Sequence, residues 1–159
     1  MLIHLYITLS PSYLDSHIKR HILEAAKTQY ENTSIMEIGH IISINRLTRI
    51  IELSINKITN DVCVSAEYDV EVCKPEVGKV ITGCQVHLLM NHGIFVKYHN
   101  IDILIPSASL QNYTFDHVKK HFIHKTSKHI ISTDSSIDLT ITDFRYNNGK
   151  FSCIADIRI

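Results

Sequence analysis

The clearest pattern of apolar and polar positions lies in "VCVSAEYDVEVC" (62–73). Val62, Val64, Ala66, Tyr68, Val70 and Val72 alternate with Cys63, Ser65, Glu67, Asp69, Glu71 and Cys73, the period-two signature of a β-strand. At ~3.3 Å per residue such a strand is long enough to cross one domain and enter the next. Pro75 removes a ladder donor and holds Lys74 extended, so the strand ends or changes sheet there, and Gly78 permits a turn. Upstream, "LIHLYITL" sets apolar positions against His4, Tyr6 and Thr8 and predicts a first strand. "SPSYLD" reads as the start of a helix, with Pro11 after Ser10. Leu14, Ile18, Ile22 and Ala25 or Ala26 then recur at steps of three and four while Lys19, Arg20, Glu24 and Lys27 point elsewhere. This predicts an amphipathic helix to about Tyr30, closed by Asn32. "MEIGHIISINRLT" and "RIIELSI" follow as two further strand-like runs rich in β-branched residues, with "NKITND" as the turn before residue 62.

The second half is mostly β. "KVITGCQVHLLMN", "HGIFVKYHN", "DILIPSASL", "SSIDLTITDFRYNNG" and "KFSCIADIRI" are five strand candidates, with "TFDHVKKHFIHKTSKH" inserted between the third and fourth. Five strands with an insertion after the third is the layout of an OB barrel, which binds oligonucleotides through a strand face and its loops. The fold class expected is α+β. A small N-terminal α+β domain (1–77), one helix on an antiparallel sheet, is joined by the long strand to a C-terminal OB-type barrel (78–159).

Charge separates the halves further. Residues 1–77 carry seven Lys/Arg against ten Asp/Glu, a net of −3, and residues 78–159 carry nine against six, a net of +3, with no glutamate and seven of the eleven histidines. Opposite charges suggest different partners. Cys63, Cys73, Cys84 and Cys153 form no CxxC pair and are expected to be reduced, mostly buried thiols of an intracellular protein. The N-terminal "MLIHLYITLS" lacks a basic leader, and no apolar run approaches the ~20 residues of a membrane span. Neither export nor a membrane partner is expected.

The candidate chemistry is recognition. Lys79, His87, His92, Lys97, Tyr98 and His99 on the first two barrel strands, with Arg145 and Lys150 on the last hairpin, supply cations for phosphate, and Phe95 or Tyr98 supplies an aromatic face for a base. In "GIFVKY" Phe95 and Lys97 share one face and Val96 and Tyr98 the other, so only one of the two aromatics is external. The histidines lead us to expect tighter binding as pH falls from about 7.5 to 6. His117, His121 and His124 have the spacing of metal ligands on a helix, but Val118 and Phe122 occupy buried spacing and only Asp116 could complete the set. A solvated, phosphate-attracting basic loop is therefore preferred over zinc. Glu67, Asp69 and Glu71 read as a wet strand face that repels RNA or meets a basic surface. No Gly-rich phosphate loop, GxSxG or HExxH occurs, so no catalytic residue, metal or cofactor is expected. A free-standing OB-type RNA-binding factor of translation or RNA decay and a metal-dependent nuclease are the competing functions.

The chain resembles the seventh-subunit family of multisubunit DNA-directed RNA polymerases, the larger stalk protein of eukaryotic, archaeal and some viral enzymes. The likeness lies in "LSPSYL" (9–14), the following helix, Gly39 of "GHIISI", the junction "YDVEVCKPEVGKVITGCQV", "HGIFV" (92–96), "ILIP" (103–106) and Thr114–Phe115. It implies a non-catalytic stalk subunit. An N-terminal tip domain would dock on the largest core subunits near the clamp base, and the barrel would contact nascent single-stranded RNA or initiation factors. The setting implied is intracellular, the nucleus or, for a viral enzyme, a cytoplasmic virus factory or the virion, and the presence of a smaller stalk partner is left open. The short, stiff "CKPEVGK" would fuse the two domains into one rod. If the first half is the tip, its polymerase contacts are expected in two loops, Ser10, Pro11 and Tyr13 in one and Asn56, Lys57, Asn60 and Asp61 in the other. The His- and Lys-rich insertion departs from the family pattern, as does the end of the sequence so soon after the last strand.

Overall fold

The computed structural model describes residues 1–158. It divides into two compact units between Cys73 and Lys74, four residues ahead of the expected boundary. The first contains β1 (Leu2–Leu9), α1 (Ile18–Tyr30), β2 (Ser34–Ile35), β3 (Gly39–Ile55) and β4 (Val62–Cys73). Its sheet has the order β1-β4-β3-β2 and every pairing is antiparallel. The alternation of β4 is realised from Val62 to Val70, with Val62, Val64, Ala66, Tyr68 and Val70 buried, and at the end of the strand Cys73 is buried while Val72 is half-buried. Ile3, Leu5, Ile7 and Leu9 of β1 join them, and α1 lays Ile22 and Ala26 onto this face.

The helix differs from expectation at its start. Pro11–Tyr13 forms a single 3-10 turn and α1 begins only at Ile18, leaving Leu14 exposed. The Asp15 carboxylate accepts the His17 amide at 2.7 Å, a local side-chain turn that interrupts the helical ladder. Asn32 adopts a left-handed conformation (φ 62) just past the helix, a suitable residue for that closure.

A larger correction concerns the two runs "MEIGHIISINRLT" and "RIIELSI", which are one strand, β3. Its pairing with β4 slips after Ile41, Ile44, Leu47 and Ile50, leaving Ile42, Asn45, Thr48 and Ile51 as extra residues. Three residues of β3 therefore span two of β4. Ile41, Ile44, Leu47, Ile50 and Leu53 face the same side as the apolar row Val72, Val70, Tyr68, Ala66 and Val64. A strand whose core positions recur every three residues satisfies its partner only through a bulge in each step, and each bulge adds right-handed twist.

The second unit is built on β5 (Val80–Met90), β6 (Gly93–Tyr98), β7 (Ile101–Pro106), β8 (Tyr113–Asp116), β9 (His121–His124), β10 (Ile130–Ile131), β11 (Ser136–Asn147) and β12 (Lys150–Arg158). Five of these close into a barrel in the order β11-β12-β7-β6-β5, with β11 returning to β5. Only β12 and β7 run parallel. This is an OB-type barrel, and with the first unit it makes the chain an α+β protein. Ile94, Val96, Ile101, Ile103, Ile105, Leu139, Ile141, Phe151, Cys153 and Ala155 fill the interior. Cys73, Cys84 and Cys153 are buried and Cys63 is half-buried.

The insertion is not a loop. β8, β9 and β10 form a three-stranded antiparallel sheet, with Tyr113, Phe122 and Ile131 buried.

Candidate nucleic-acid interface

Side chains that point away from the barrel interior on β5, β6, β7, β12 and β11 line up in two rows, set by strand register. One row runs Leu88, Phe95, Leu104, Ile154, Asp143, and the other Gln85, Lys97, Asp102, Ser152, Arg145. Two bulges create this arrangement. On β5 the register slips between Val86 and Leu88, so His87 is extra and Leu88 turns outward opposite Phe95. On β11 it slips between Ile141 and Asp143, and Thr142 is extra. Strict alternation from Ile137, Leu139 and Ile141 would send Asp143 and Arg145 into the barrel. Opposite Ile154 and Ser152 they lie outside instead, as bulges re-aim side chains. The Thr142 hydroxyl donates to the Ile154 carbonyl at 3.1 Å and holds the bulge.

These rows enclose a cleft of about 340 Å³ lined by Phe95, Leu104, Asp143, Phe144, Arg145 and Ile154, with Asp102 and Ser152 at its polar side. Its walls are apolar and aromatic, with few polar groups, the composition of a ligand cleft. Phe144 and Ile154 are exposed, and Phe95 and Leu104 half-buried. Lys150 Nζ lies 2.7 Å from Asp102 Oδ2. Both side chains remain well hydrated, so the pair fixes geometry more than it stabilises. Lys97 and Arg145 meet no carboxylate within ion-pair distance among the described residues. Phosphate can bind them without displacing an existing partner.

Of the nine sequence-predicted RNA residues, Phe95, Lys97, Arg145 and Lys150 come together on this face. Phe95 is the external aromatic, whereas Tyr98 lies on the interior phase of β6 and its ring sits edge-on to His99. His87 is exposed at the β5 bulge, and His92 is exposed in the turn before β6. Lys79 lies before β5, its ammonium donating to the Lys74 carbonyl at 3.0 Å. Sequence reasoning missed Leu88, Leu104, Phe144 and Ile154. The latent signal was that "ILIP" is apolar in both phases and that Ile154 interrupts the polar phase of "SCIADI" between Ser152 and Asp156.

Within the insertion, the Asp116 carboxylate accepts the Val118 and Lys119 amides at 2.9 and 3.0 Å. These two bonds, first that from Lys119, hold its pKa below the ordinary aspartate value. His121 Nε2 lies 3.9 Å from Asp116. His117 belongs to the β8–β9 turn and His124 ends β9, so the helical spacing of these histidines does not apply. Among the described residues no three His, Cys, Asp or Glu side chains converge as metal ligands.

In the first unit, Leu9, Val62 and Ile55 pair side by side at one end of the sheet, so the Ser10–Tyr13 turn and the Asn56–Asp61 turn emerge from the same end. Asn56 Oδ1 accepts the Ile58 amide at 2.9 Å and shapes the second turn. Ile55 is 61% and Ile58 93% exposed, an apolar tip. The carboxylates of β4 are not a bare acidic face, because Arg49 lies 3.7 Å from Glu67 and Arg46 3.8 Å from Asp69.

No family model and no curated protein matches the chain. The solution structure of GSP13 from Bacillus subtilis is similar at 23% identity and a TM-score of 0.35. The likeness covers 51% of this chain and 55% of that one, so the overlap is about half of each. No helix among the described residues is long and apolar enough to cross a membrane.

Proposed function

We propose that the chain is a non-catalytic, single-stranded RNA-binding protein that acts through the outer face of its barrel, and that its setting is the stalk of a multisubunit DNA-directed RNA polymerase. The observation that carries the first part is the two-row face, where Phe95 and an apolar cleft lie beside the unpaired cations Lys97 and Arg145. Bases need an exposed ring and phosphates need an available cation. The second part is supported by the motifs from "LSPSYL" through "ILIP" and by the apolar tip, whose two turns share one end of their sheet. In that setting the tip docks on the core subunits, with or without a smaller stalk partner, and nascent RNA meets the barrel.

A free-standing RNA-binding factor is the second reading, since the barrel face alone supplies RNA binding and requires no docking surface. Affinity purification of the tagged chain from its native cells decides between them. Co-purification of the two largest polymerase subunits, lost when Ser10–Tyr13 and Asn56–Asp61 are both replaced by Gly-Ser, is expected for a stalk subunit. Recovery with RNA but without polymerase subunits would leave the free-standing factor.

A further inference from the structure

Asp143 does not fit a face that only holds phosphates. A carboxylate there repels the backbone of RNA, yet the bulge at Thr142 turns this one outward into the cleft. Asp102, the other carboxylate of the cleft, is neutralised by Lys150 at 2.7 Å. Asp143 has no cation within ion-pair distance among the described residues, and its Oδ1 accepts the Phe144 amide at 2.8 Å. Oδ2 accepts no hydrogen bond among the described residues, in a cleft also lined by Phe95, Phe144 and Ile154.

We infer that the cleft is a subsite for a single unstacked guanine, its ring lying on the apolar wall and its Watson–Crick edge turned to Asp143. An ionised carboxylate is acceptor-only and offers two oxygens side by side. Guanine alone among the four bases presents two adjacent donors, N1–H and N2–H, that match them. Uracil flanks its one ring N–H with carbonyl oxygens, and adenine and cytosine set a ring acceptor beside their amino group. Each of these would place a lone pair against the second carboxylate oxygen. Arg145, next to Asp143 in the neighbouring row, is positioned for the phosphate of the same nucleotide. The inference rests on the RNA-binding reading and adds base preference to it.

The test uses the full chain and fluorescence anisotropy of end-labelled twelve-nucleotide RNAs, all-uridine or with one central G, A or C, a design that avoids G-quadruplexes. The single-G strand should bind about tenfold tighter than the others, the scale of one good bidentate base contact. Asp143→Ser keeps an acceptor for the Phe144 amide and should remove the preference, so that the single-G strand binds no tighter than the other three. Equal binding of all four strands, or an equal tightening of all four by Asp143→Ser, would overturn the guanine subsite and leave RNA binding standing. Binding to none of the strands would overturn both. So would capture of an arginine-rich peptide in their place, which would assign Asp143 to a protein partner.

Discussion

The two basic residues of the last hairpin should respond differently to salt, although sequence alone makes them equivalent. Each phosphate neutralised on a single strand contributes about −0.7 to the slope of log K against log salt through counterion release. Lys97 and Arg145 have no carboxylate partner among the described residues, so together they should give a slope of about −1.4. Lys150 already has a counter-charge, Asp102 at 2.7 Å, and should add nothing. Arg145→Ala should flatten the slope to about −0.7, Lys150→Ala should leave it at about −1.4, and Asp102→Asn should free Lys150 and steepen it to about −2.1. Between about 50 and 200 mM salt these slopes correspond to affinity losses of about 2.6-, 7- and 18-fold. Anisotropy titrations of the full chain with a labelled all-uridine strand at four salt concentrations resolve such differences. Cations elsewhere add the same amount to every variant, so the differences carry the test. Equal flattening by Arg145→Ala and Lys150→Ala would refute the claim that the Asp102 pair removes Lys150 from phosphate binding.

Three further outcomes follow from the fold. The Tyr68 hydroxyl is buried without a hydrogen-bond partner among the described residues, and burial pushes its pKa up to about 12; Tyr68→Phe should therefore leave the first unit as stable or more stable by about 1 kcal/mol, read from amide exchange at Val64 and Val70. A Cβ on Gly93 would sit 2.3 Å from the Ile105 carbonyl oxygen, so Gly93→Ala should cost the barrel about 1–3 kcal/mol by forcing β6 from β7, measured as faster amide exchange along β6. The Asp116 pKa is depressed, so its contribution to the β8–β9 turn is present above the ordinary value of 3.8 and lost as pH falls through the lower folded value. The Val118 and Lys119 amide resonances should titrate together with an apparent pKa below 3.8.

What was legible in the sequence depended on whether an element kept one simple period. β4, β6, β7 and β12 did, and β5 and β11 were located by their apolar runs although each carries a bulge. β3 did not, because its core positions fall every third residue, a spacing that belongs neither to a flat strand nor to a helix. The helix start was misplaced because Pro11 after Ser10 is a sound opening signal, and nothing in the pattern shows Asp15 capturing the His17 amide first. The insertion hid its strands in segments of two to four residues, too short for alternation to register. In the interface, Phe95 and Lys97 follow from alternation within one strand, and the register confirms that they share a side. The outward placement of Asp143 does not follow, since "SIDLTITDFRY" alternates without a break and the bulge at Thr142 appears only where β11 pairs with β12.

The three-to-two register of β3 against β4 stops short of the hairpin carrying Ile58. From Glu52 to Ile55 the two strands pair one to one, as in an ordinary antiparallel hairpin, where two residues added to each strand restore every side chain to its face. The coiled part of the sheet and the length of its tip are therefore separable. An engineered insertion of two plus two beyond Ile55 and before Val62 should lengthen the reach of the turn and leave Leu53 opposite Val64, whereas one residue added to β3 alone should turn Ile55 to the opposite face.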